Sequence, residues 1–331
     1  MNTPTLPTYI QRFFTDRLAT QLRASTNTVA SYRDTFRLLL RYAADQLKKS
    51  PTNLAIEDID ADLVGKFLSY VEMTRGNSVR SRNTRMSAIR SFYRYVAMYE
   101  PQVIHHCQRI LAIPSKRYVK RSVNYLTREE IEALIAAPDI TTWLGRRDQA
   151  LLLLAVQTGL RVSEIINLKC KDVILGTGAH VRCKGKGRKE RATPLRKDCT
   201  RMLRTWLSER AAGDDDPVFV STRGGVLSRD AIERIVRKQA ASASTHCPLL
   251  KGKKVSPHVL RHSAAMELLQ NGVDCTVIAL WLGHESVETT QVYVHANMMM
   301  KEKAMAKTMS VKSAQGRYRP NDQLLAFLDA L

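Results

Sequence analysis

The sequence has few of the residues that define non-globular classes of protein. Aromatic residues make up 6% of the 331-residue chain, and its 15 glycines and 11 prolines are too few for a fibrous or disordered chain. The 6 cysteines are scattered and none forms a C-x-x-C pair, so we predict reduced thiols rather than a disulfide framework. With 44% hydrophobic residues, the chain still has enough apolar material for real cores.

The sequence also lacks the segments that would take it to a membrane. Its first residues have no basic stretch followed by an apolar one, as a signal peptide would have. The longest apolar stretch, residues 150–156, is far shorter than the roughly 20 residues that a membrane helix needs. We therefore expect a cytoplasmic protein with no membrane partner. Nothing near His105, His106 and Cys107 completes a zinc set, so no metal site is expected.

Acidic residues are outnumbered, and this imbalance is informative. The chain has 52 Lys and Arg against 31 Asp and Glu, which gives a formal net charge of +21. Such an excess is typical of proteins that bind nucleic acid. A basic protein without a polyanionic partner is the alternative, as is one that binds acidic membranes. Because no basic amphipathic helix has a clean apolar face, nucleic acid is the favoured partner.

The first hundred residues, 1–101, predict a helical domain. Apolar residues recur at helical spacing in four segments, which together make a small bundle. Asp58 or Asp60 is placed to cap the third of them. The four predicted helices span residues 9–22, 27–47, 59–73 and 79–99.

Arginines crowd the fourth predicted helix and the turn before it. No acidic residue lies between Arg75 and Arg94, and Ser and Asn separate the arginines. This composition suits contacts to DNA phosphates, although a solvated helix face is the alternative. The candidate DNA contacts in this region are Arg75, Arg80, Arg82, Arg85 and Arg90.

Residues 102–124 are predicted to be a basic linker. Pro101 stops the preceding helix, and Pro114 interrupts the chain again. Basic residues then crowd a short extended stretch, which is suited to crossing a DNA groove or following its backbone. The candidate DNA contacts in the linker are Lys116, Arg117 and Lys120.

A second domain is predicted over residues 125–309. It opens on Thr127 and Glu130, which have the spacing of a helix capping box. Residues 173–184 and 191–195 have strand character and glycine turns, which predicts a short antiparallel sheet. The fold class is therefore mainly α: a four-helix N-terminal domain plus an α+β domain with a small antiparallel sheet. The helices predicted in the second domain span residues 148–159, 162–167, 196–211, 229–241, 259–271, 276–282 and 287–303.

Two segments of this domain present cations at turns. Arg161 comes two residues after a glycine at a helix junction, where its guanidinium can face a ligand or simply pair with Glu164. Lys186 lies in a glycine-flanked basic turn between two strands, which could insert a lysine into a DNA groove or be a solvated hairpin tip. The G-x-x-x-x-G-K-[ST] pattern of a P-loop is absent.

Two further segments carry histidines and a tyrosine. His258 and Arg261 are three residues apart at the start of a helix, so both lie on one face and suit a phosphate, or else form a capping pair. His284 ends a helix, and Tyr293 follows within the next. Taken alone, a tyrosine at helical spacing is more often a core residue than a nucleophile.

The order of these motifs resembles that of the tyrosine recombinase, or phage integrase, family. The residues within the motifs are similar to those of Xer-like and mobile-element members. The resemblance spans the chain from its helical N-terminal part, which is similar to the family's core-binding (SAM-like) domain, to just beyond Tyr293. Each motif alone is weak or moderate, but five in order at suitable spacings are specific. The motifs are TGLRVSE at 158–164, GKGRKER at 185–191, HVLRH at 258–262, LGH at 282–284, and Tyr293.

By this resemblance, Tyr293 is the nucleophile of a site-specific DNA recombinase and forms a 3′-phosphotyrosine with the DNA. Arg161 and Arg261 correspond to the two clamps on the scissile phosphate, because guanidinium forks match phosphate geometry. Lys186 corresponds to the hairpin lysine, the general acid for the leaving 5′ oxygen. Arg188 in the same turn is a further candidate DNA contact.

The resemblance also assigns the histidines and one carboxylate. His258 and His284 occupy the two histidine positions, and other members have a different residue at the second. A phenol has a pKa of about 10 and needs a base, and His258 is placed to take its proton, although the sequence leaves the identity of the base open. Glu164 matches an acidic position that orients its neighbours. Covalent catalysis of this kind conserves bond energy, so neither ATP, a metal nor another cofactor is expected.

The family works as a tetramer on two DNA sites. We therefore expect double-stranded DNA with specific core sites as substrate, in a nucleoid-associated homo-tetramer or, alternatively, a hetero-tetramer. The tail, residues 310–331, ends in a short amphipathic segment that would dock on a neighbouring subunit or, alternatively, on its own domain. The bundle begins almost at Met1, which favours simple core sites without arm sites.

Two other functions share parts of this pattern. A type IB topoisomerase-like enzyme would use similar residues to relax DNA without partner sites. A DNA-binding accessory protein would keep the fold without cutting. The complete set of catalytic residue types disfavours the second, and the Xer-like motifs and compact bundle disfavour the first. Whether the natural outcome is integration, excision, inversion or resolution is not readable from these residues.

Overall fold

The computed structural model describes residues 5–118, 123–185 and 190–284, together with Thr290 and Tyr293. The chain divides into two compact units, residues 1–120 and 121–331. The predicted seventh helix of the second domain, 287–303, lies almost wholly outside the described residues, as does the predicted tail, 310–331.

The first unit is helical, as the apolar spacing predicts. Asp60 caps α3 by accepting a hydrogen bond from the Leu63 amide at 2.8 Å, while Asp58 accepts one from the Ala55 amide and pairs with Lys49. The helices are α1 (Leu6–Arg12), continued by a π-helix (Phe13–Gln21), α2 (Thr26–Leu47), α3 (Ala61–Met73), α4 (Val79–Tyr99) and α5 (Ile104–Leu111).

Aromatic rings fill the centre of this unit. Phe36 and Phe92 pack edge to face with ring centroids 5.1 Å apart, and Phe13 meets Phe92 in the same way at 5.5 Å. Such edge-to-face pairs add to the hydrophobic stabilisation of the rings. The few aromatic residues of the chain are thus used to hold the bundle together.

Helix α5 departs from the expected linker. Cys107 and Ile110 are fully buried in the core of the first unit, so residues 104–111 belong to the bundle rather than to a connection. The apolar residues of this helix recur at helical spacing, so its pattern was present in the chain although no helix was predicted there. A 3-10 turn, Pro101–Val103, joins α4 to α5, which agrees with Pro101 ending the preceding helix.

The second unit surrounds one buried helix, α7. Every residue from Ala150 to Thr158 is buried, because α6, α9 and α11 all pack against this helix. The capping box predicted for α6 is present, with Thr127 and Glu130 bonded reciprocally. The helices are α6 (Arg128–Ala136), α7 (Trp143–Thr158), α8 (Val162–Ile166), α9 (Lys197–Arg210), α10 (Arg229–Ala243), α11 (Pro257–Gln270) and α12 (Cys275–Leu282).

The second unit also has a small antiparallel sheet. Its strands are β1 (Val173–Ile174), β2 (His180–Lys184) and β3 (Glu190–Pro194), in the order β1-β2-β3. Val181 pairs with Thr193, and both side chains are fully buried. The predicted class, mainly α with a small antiparallel sheet, is confirmed. Across the described ranges, no helix is long and apolar enough to cross a membrane.

Candidate active site

Helix α11 begins with a capped turn and holds Arg261 in a fixed orientation. Ser256 caps the helix and Pro257 occupies its first turn, which fits the preferences of these residue types. Arg261 is 3% exposed and donates to the carbonyl oxygens of Gly159 at 2.6 Å and Leu282 at 2.7 Å. These two bonds fix the guanidinium plane while its remaining N–H groups stay available to a ligand.

The charge of Arg261 is unusually costly to bury. Burial, followed by the nearby Arg161, lowers the pKa of Arg261 to about 10. The side chain is still charged at neutral pH, so two cations are held together in a low-dielectric setting. An anion between them would relieve this cost, which makes the pair a ready phosphate clamp.

Glu164 holds the second clamp residue in place. Its carboxylate accepts hydrogen bonds from the side chain of Arg161 at 2.9 Å and from the Arg161 amide at 2.7 Å. Arg161 also donates to the carbonyl oxygen of Gly283 at 2.8 Å. Arg161 therefore does both of the things that its sequence position allowed: it forms the salt bridge with Glu164, and it faces the same cavity as Arg261.

Arg191 also binds Glu164, and no role was predicted for it from the sequence. It lies on β3 and binds both oxygens of Glu164, at 2.9 and 2.7 Å, while its Nε donates to the carbonyl oxygen of Trp281 at 3.1 Å. Its hydrogen bonds hold the pKa of Glu164 below the ordinary value although burial, the largest single effect, opposes them. The GKGRKER motif contained this residue, but roles were assigned only to Lys186 and Arg188.

Two glycines let these elements approach closely. Gly159 ends α7 with φ +63°, and a Cβ there would lie 2.6 Å from the Leu282 side chain. Gly283 ends α12 with φ +64°, and a Cβ there would lie 2.8 Å from the Arg191 guanidinium. A left-handed backbone and a close contact both exclude larger residues.

The clamp residues line one cavity of about 230 Å³. Arg161, His258 and Arg261 face it from α8 and α11, and Arg229 from α10 faces the same space. Three cationic groups and an imidazole, set against the carboxylate of Glu233, leave the cavity with a positive excess that suits a phosphodiester anion. The structure thus brings three of the predicted site residues, Arg161, His258 and Arg261, to one cavity.

Tyr293 lies against α11, in contact with a histidine that the sequence reasoning quoted but did not assign. Its hydroxyl oxygen is 2.8 Å from Nδ1 of His262, and the tyrosine is 2% exposed. Burial raises the pKa of Tyr293, while Arg261 and Arg161 act to lower it. His262 lies one helical turn after His258, and this spacing is the signal that could have identified it.

His284 also packs near the tyrosine. Its ring lies nearly parallel to the Tyr293 ring, at 15°, with centroids 6.4 Å apart. Its Nδ1 lies 2.8 Å from the Thr290 hydroxyl oxygen, which fixes the ring orientation. Burial, then Arg261 and Arg161, lowers the pKa of His284 to about 4, so the ring is neutral at pH 7.

Three of the predicted site residues, Lys186, Arg188 and Lys120, lie outside the described residues. On either side of the hairpin turn, Lys184 and Glu190 pair at 3.2 Å and are both exposed. The described strands β2 and β3 therefore bracket the predicted lysine without showing its position.

The basic residues of the first unit differ in their surroundings. Arg75, Arg80 and Arg117 are exposed, and Arg85 is half-buried. Arg82 is 7% exposed and lies 3.7 Å from Glu72, which also pairs with Lys116 at 2.8 Å. The arginine-rich helix thus has an acidic partner on α3 that its own sequence did not reveal.

Arg90 and Asn83 fasten the segment after α5 to helix α4. Arg90 donates to Ser115 at 3.0 Å and to the carbonyl oxygen of Ile113. Asn83 exchanges two hydrogen bonds with the backbone of Lys116, at 2.8 and 3.1 Å. These side chains therefore have a structural task in addition to any contact with DNA.

Comparison with known proteins places this site in a family. Residues 124–300 match the model described as the phage integrase family, and residues 10–98 match the phage integrase N-terminal SAM-like domain. The chain therefore belongs to the phage integrase, or tyrosine recombinase, family. Membership of this family makes the chain a site-specific DNA recombinase.

Relatives in two groups are similar to this chain. An integrase/recombinase of Sinorhizobium fredii (strain NBRC 101917 / NGR234), y4rC, is 54% identical, with 97% of each chain covered. The tyrosine recombinase XerD of Ralstonia nicotianae is 34% identical, with 86% of this chain and 89% of the relative covered.

Solved structures share the fold. The XerA recombinase matches with a TM-score of 0.50 at 27% identity, covering 91% of this chain and 99% of that one. The XerH site-specific recombinase bound to a palindromic difH substrate, in a post-cleavage complex, matches with a TM-score of 0.65 at 23% identity, covering 86% and 81%. The confirmed class, a helical SAM-like domain followed by a catalytic domain, is the one these proteins have.

Proposed function

We propose that this recombinase cleaves and rejoins double-stranded DNA at specific core sites through a covalent 3′-phosphotyrosine at Tyr293. The observation that carries the proposal is the contact of the Tyr293 hydroxyl with His262 of α11, the helix that also presents His258 and Arg261 to the clamp cavity. A nucleophile held against the helix that carries one of the anion clamps has the fixed orientation that an in-line attack on a phosphodiester requires.

In the cleavage step, the Tyr293 oxygen attacks the scissile phosphorus while the bond to the 5′ oxygen breaks. Charge that develops on the non-bridging oxygens is stabilised by Arg161, Arg261 and His284, and each such donor contributes roughly 3 kcal/mol. Lys186 gives a proton to the departing 5′ oxygen. Rejoining is the same step in reverse with a 5′ hydroxyl from a second strand, so ATP is not consumed.

Glu164 and Arg191 prepare the clamp and do not touch the phosphate. Glu164 fixes Arg161 by two hydrogen bonds, and Arg191 fixes Glu164 by two more. The assignment of Glu164 as an orienting residue therefore has direct geometric support. The clamp is preorganised before DNA binds, which is the main requirement for electrostatic catalysis.

DNA outside the reacting phosphate would be held by the basic residues of both units. Arg75, Arg80 and Arg117 are exposed and suited to this, with Lys120 and Arg188 as further proposed contacts. We also propose domains at 1–101 and 125–309 with the basic segment 102–124 between them, although its helix α5 packs with the first.

The proposed active assembly is a tetramer on two core sites. Among solved proteins of this fold, a lambda integrase tetramer is bound to a Holliday junction, and a lambda integrase dimer is bound to a COC′ core site. The names of the relatives include both integrase/recombinase and Xer recombinase, so the natural outcome is integration or excision, or else resolution. A homo-tetramer is the simplest such assembly.

Covalent trapping tests the proposal. Wild type and Tyr293→Phe are incubated with nicked duplexes tiled across the DNA that flanks the gene, and products are separated on a denaturing gel. A slow protein–DNA band with wild type alone would support the proposal and locate the core site. Specific binding in a gel shift, with no band for wild type on any bound duplex, would favour a non-cutting accessory protein instead.

A further inference from the structure

We propose that His262 is the general base of the reaction, and that it takes the proton of the Tyr293 hydroxyl as the phenol attacks DNA. The inference rests on the proposed nucleophilic role of Tyr293 and assigns the proton transfer that this role requires. His258, which lies nearer the start of α11, would then act on the phosphate side.

The contact between the two side chains has the geometry of a proton transfer. His262 Nδ1 and the Tyr293 hydroxyl oxygen are 2.8 Å apart, and the rings meet at 63° with centroids 5.4 Å apart. A general base must lie within hydrogen-bond reach of the proton that it removes, about 2.6–3.2 Å between heavy atoms. The pair meets this condition before any DNA is bound.

Burial makes this contact the natural route for the proton. Tyr293 packs with Ala265, Met266, Leu269 and other apolar side chains, so its hydroxyl is turned into protein rather than towards water. A buried hydroxyl is normally hydrogen-bonded, and His262 provides that partner here.

Helix α11 separates the two tasks by one turn. His258 and Arg261 line the clamp cavity, whereas His262 meets the tyrosine. The rings of His258 and His262 are in edge-to-face contact at 4.8 Å. One helix can therefore act on the phosphate through His258 and on the nucleophile through His262.

The charged and titratable groups around His262 determine its pKa, and a bound phosphate would change their effect. His258 and Arg261 on its own helix, and His284 and Tyr293 packed near it, are the titratable groups that face it. Burial, then His258 and Arg261, lowers its pKa to about 4, so its imidazole is neutral at neutral pH but is a weak base while the clamp is empty. A phosphate anion in the clamp would offset the positive charge and stabilise the imidazolium that forms.

The step balances without a further reactant. The phenol O–H bond breaks and its proton goes to Nδ1 of His262, while the oxygen forms the bond to phosphorus. The bond to the 5′ oxygen breaks, and that oxygen takes its electron pair and a proton from Lys186. During rejoining the proton on His262 returns to the tyrosine oxygen as it leaves.

Single-turnover cleavage on the nicked duplex that traps wild type tests this assignment. His262→Asn keeps a polar group near the position of Nδ1 but cannot take up a proton, and His262→Ala removes the side chain. Each is compared with wild type, His258→Gln and Lys186→Ala, on a normal duplex and on one whose scissile 5′ oxygen is sulfur. A thiolate leaves without a general acid, so this substrate rescues losses on the leaving-group side alone.

We expect His262→Asn to bind the duplex as wild type does and to cleave it roughly 10²–10⁴-fold more slowly. The sulfur substrate should rescue Lys186→Ala but not His262→Asn, and added imidazole should partly restore His262→Ala. The wild-type rate should rise with pH and level off above the pKa of His262 in the complex, whereas the His262→Asn rate should keep rising.

Three outcomes would overturn the inference. The first is cleavage by His262→Asn at the wild-type rate, and the second is rescue of His262→Asn by the sulfur substrate. The third is a rate for His262→Asn that depends on pH as the wild-type rate does. A thermal melt and a gel shift for each variant separate chemistry from misfolding. If Tyr293→Phe also formed the adduct, the proposed function itself would fail, whatever the His262 variants did.

Discussion

At the residue scale, Gly159 is constrained both by its backbone and by its neighbours. Its φ of +63° would strain any residue with a Cβ, and that atom would lie 2.6 Å from Leu282 and 3.3 Å from Ala264. Gly178 has a similar φ of +70° but nothing within 4 Å, so it is a matched control for the backbone alone. The two sites separate strain from steric conflict.

We predict that Gly178→Ala lowers the free energy of unfolding by about 1 kcal/mol, the cost of the left-handed conformation. Gly159→Ala should cost roughly 1–3 kcal/mol more, because Leu282 and Ala264 must move. Urea denaturation of the two variants measures the difference. Equal losses would show that the close approach of α7 to α12 is not a constraint.

The neutral histidines predict a dependence of stability on pH. The pKa of both His262 and His284 is lowered from 6.5 to about 4 in the folded chain, so the unfolded chain binds more protons between these values. Stability should therefore fall as the pH drops from about 6.5 to 4, and this loss should end below the folded pKa. Thermal melts across the range should show a shallower slope for His262→Asn than for wild type. An unchanged slope would contradict the assigned burial.

At the element scale, Glu164 joins α8 to β3 and to the end of α12. Its side chain is 3% exposed and pairs with Arg161 and Arg191, and Arg191 also bonds to Trp281. The clamp and the strand that leaves the lysine hairpin are therefore connected through one carboxylate. A substitution of Arg191 on β3 should therefore change the position of Arg161, although the two residues belong to different elements.

A double-mutant cycle tests this connection. We predict that Glu164→Gln and Arg191→Met each reduce the cleavage rate by at least about tenfold and each destabilise the chain by roughly 3 kcal/mol, because each leaves a buried charge without its partner. The double variant should lose less than the sum, since the removed charges are partners. Additive losses in both rate and stability would show that the two residues act independently.

The sequence predicted elements better than the contacts between them. The α3 cap at Asp60, the α6 capping box and the glycine end of α7 were all readable, because each depends on residues close in the chain. The pattern of helix α5 was also present in the chain, with apolar residues at helical spacing, but it was not recognised. The roles of Arg191 and His262 were missed for a physical reason: their partners, Glu164 and Tyr293, lie 27 and 31 residues away.

At the scale of the whole molecule, the net charge of +21 predicts salt-sensitive binding to DNA. Counterions released from the duplex should make the logarithm of the affinity fall linearly with that of the salt concentration. Individual arginines should then divide into those that contribute to this slope and those that support the fold. Exposure and existing partners decide which group each belongs to.

Arg80 and Arg82 are a matched pair for this test on helix α4. Arg80 is exposed, whereas Arg82 is 7% exposed and lies beside Glu72. We predict that Arg80→Gln reduces the salt slope by about 0.9 with no change in the melting temperature. Arg82→Gln should instead lower the free energy of unfolding by roughly 1–3 kcal/mol. The reverse pattern would mean that burial does not separate the two roles.

The most direct measurement of the central claim is the chemical identity of the covalent adduct. The trapped wild-type complex would be digested with a protease and a nuclease, and the remaining nucleotide–peptide analysed by mass spectrometry. The account predicts a peptide containing Tyr293, joined through its phenolic oxygen to a 3′ phosphate, with a free 5′ hydroxyl on the other DNA end. An adduct on a different residue, or a linkage to a 5′ phosphate, would contradict it.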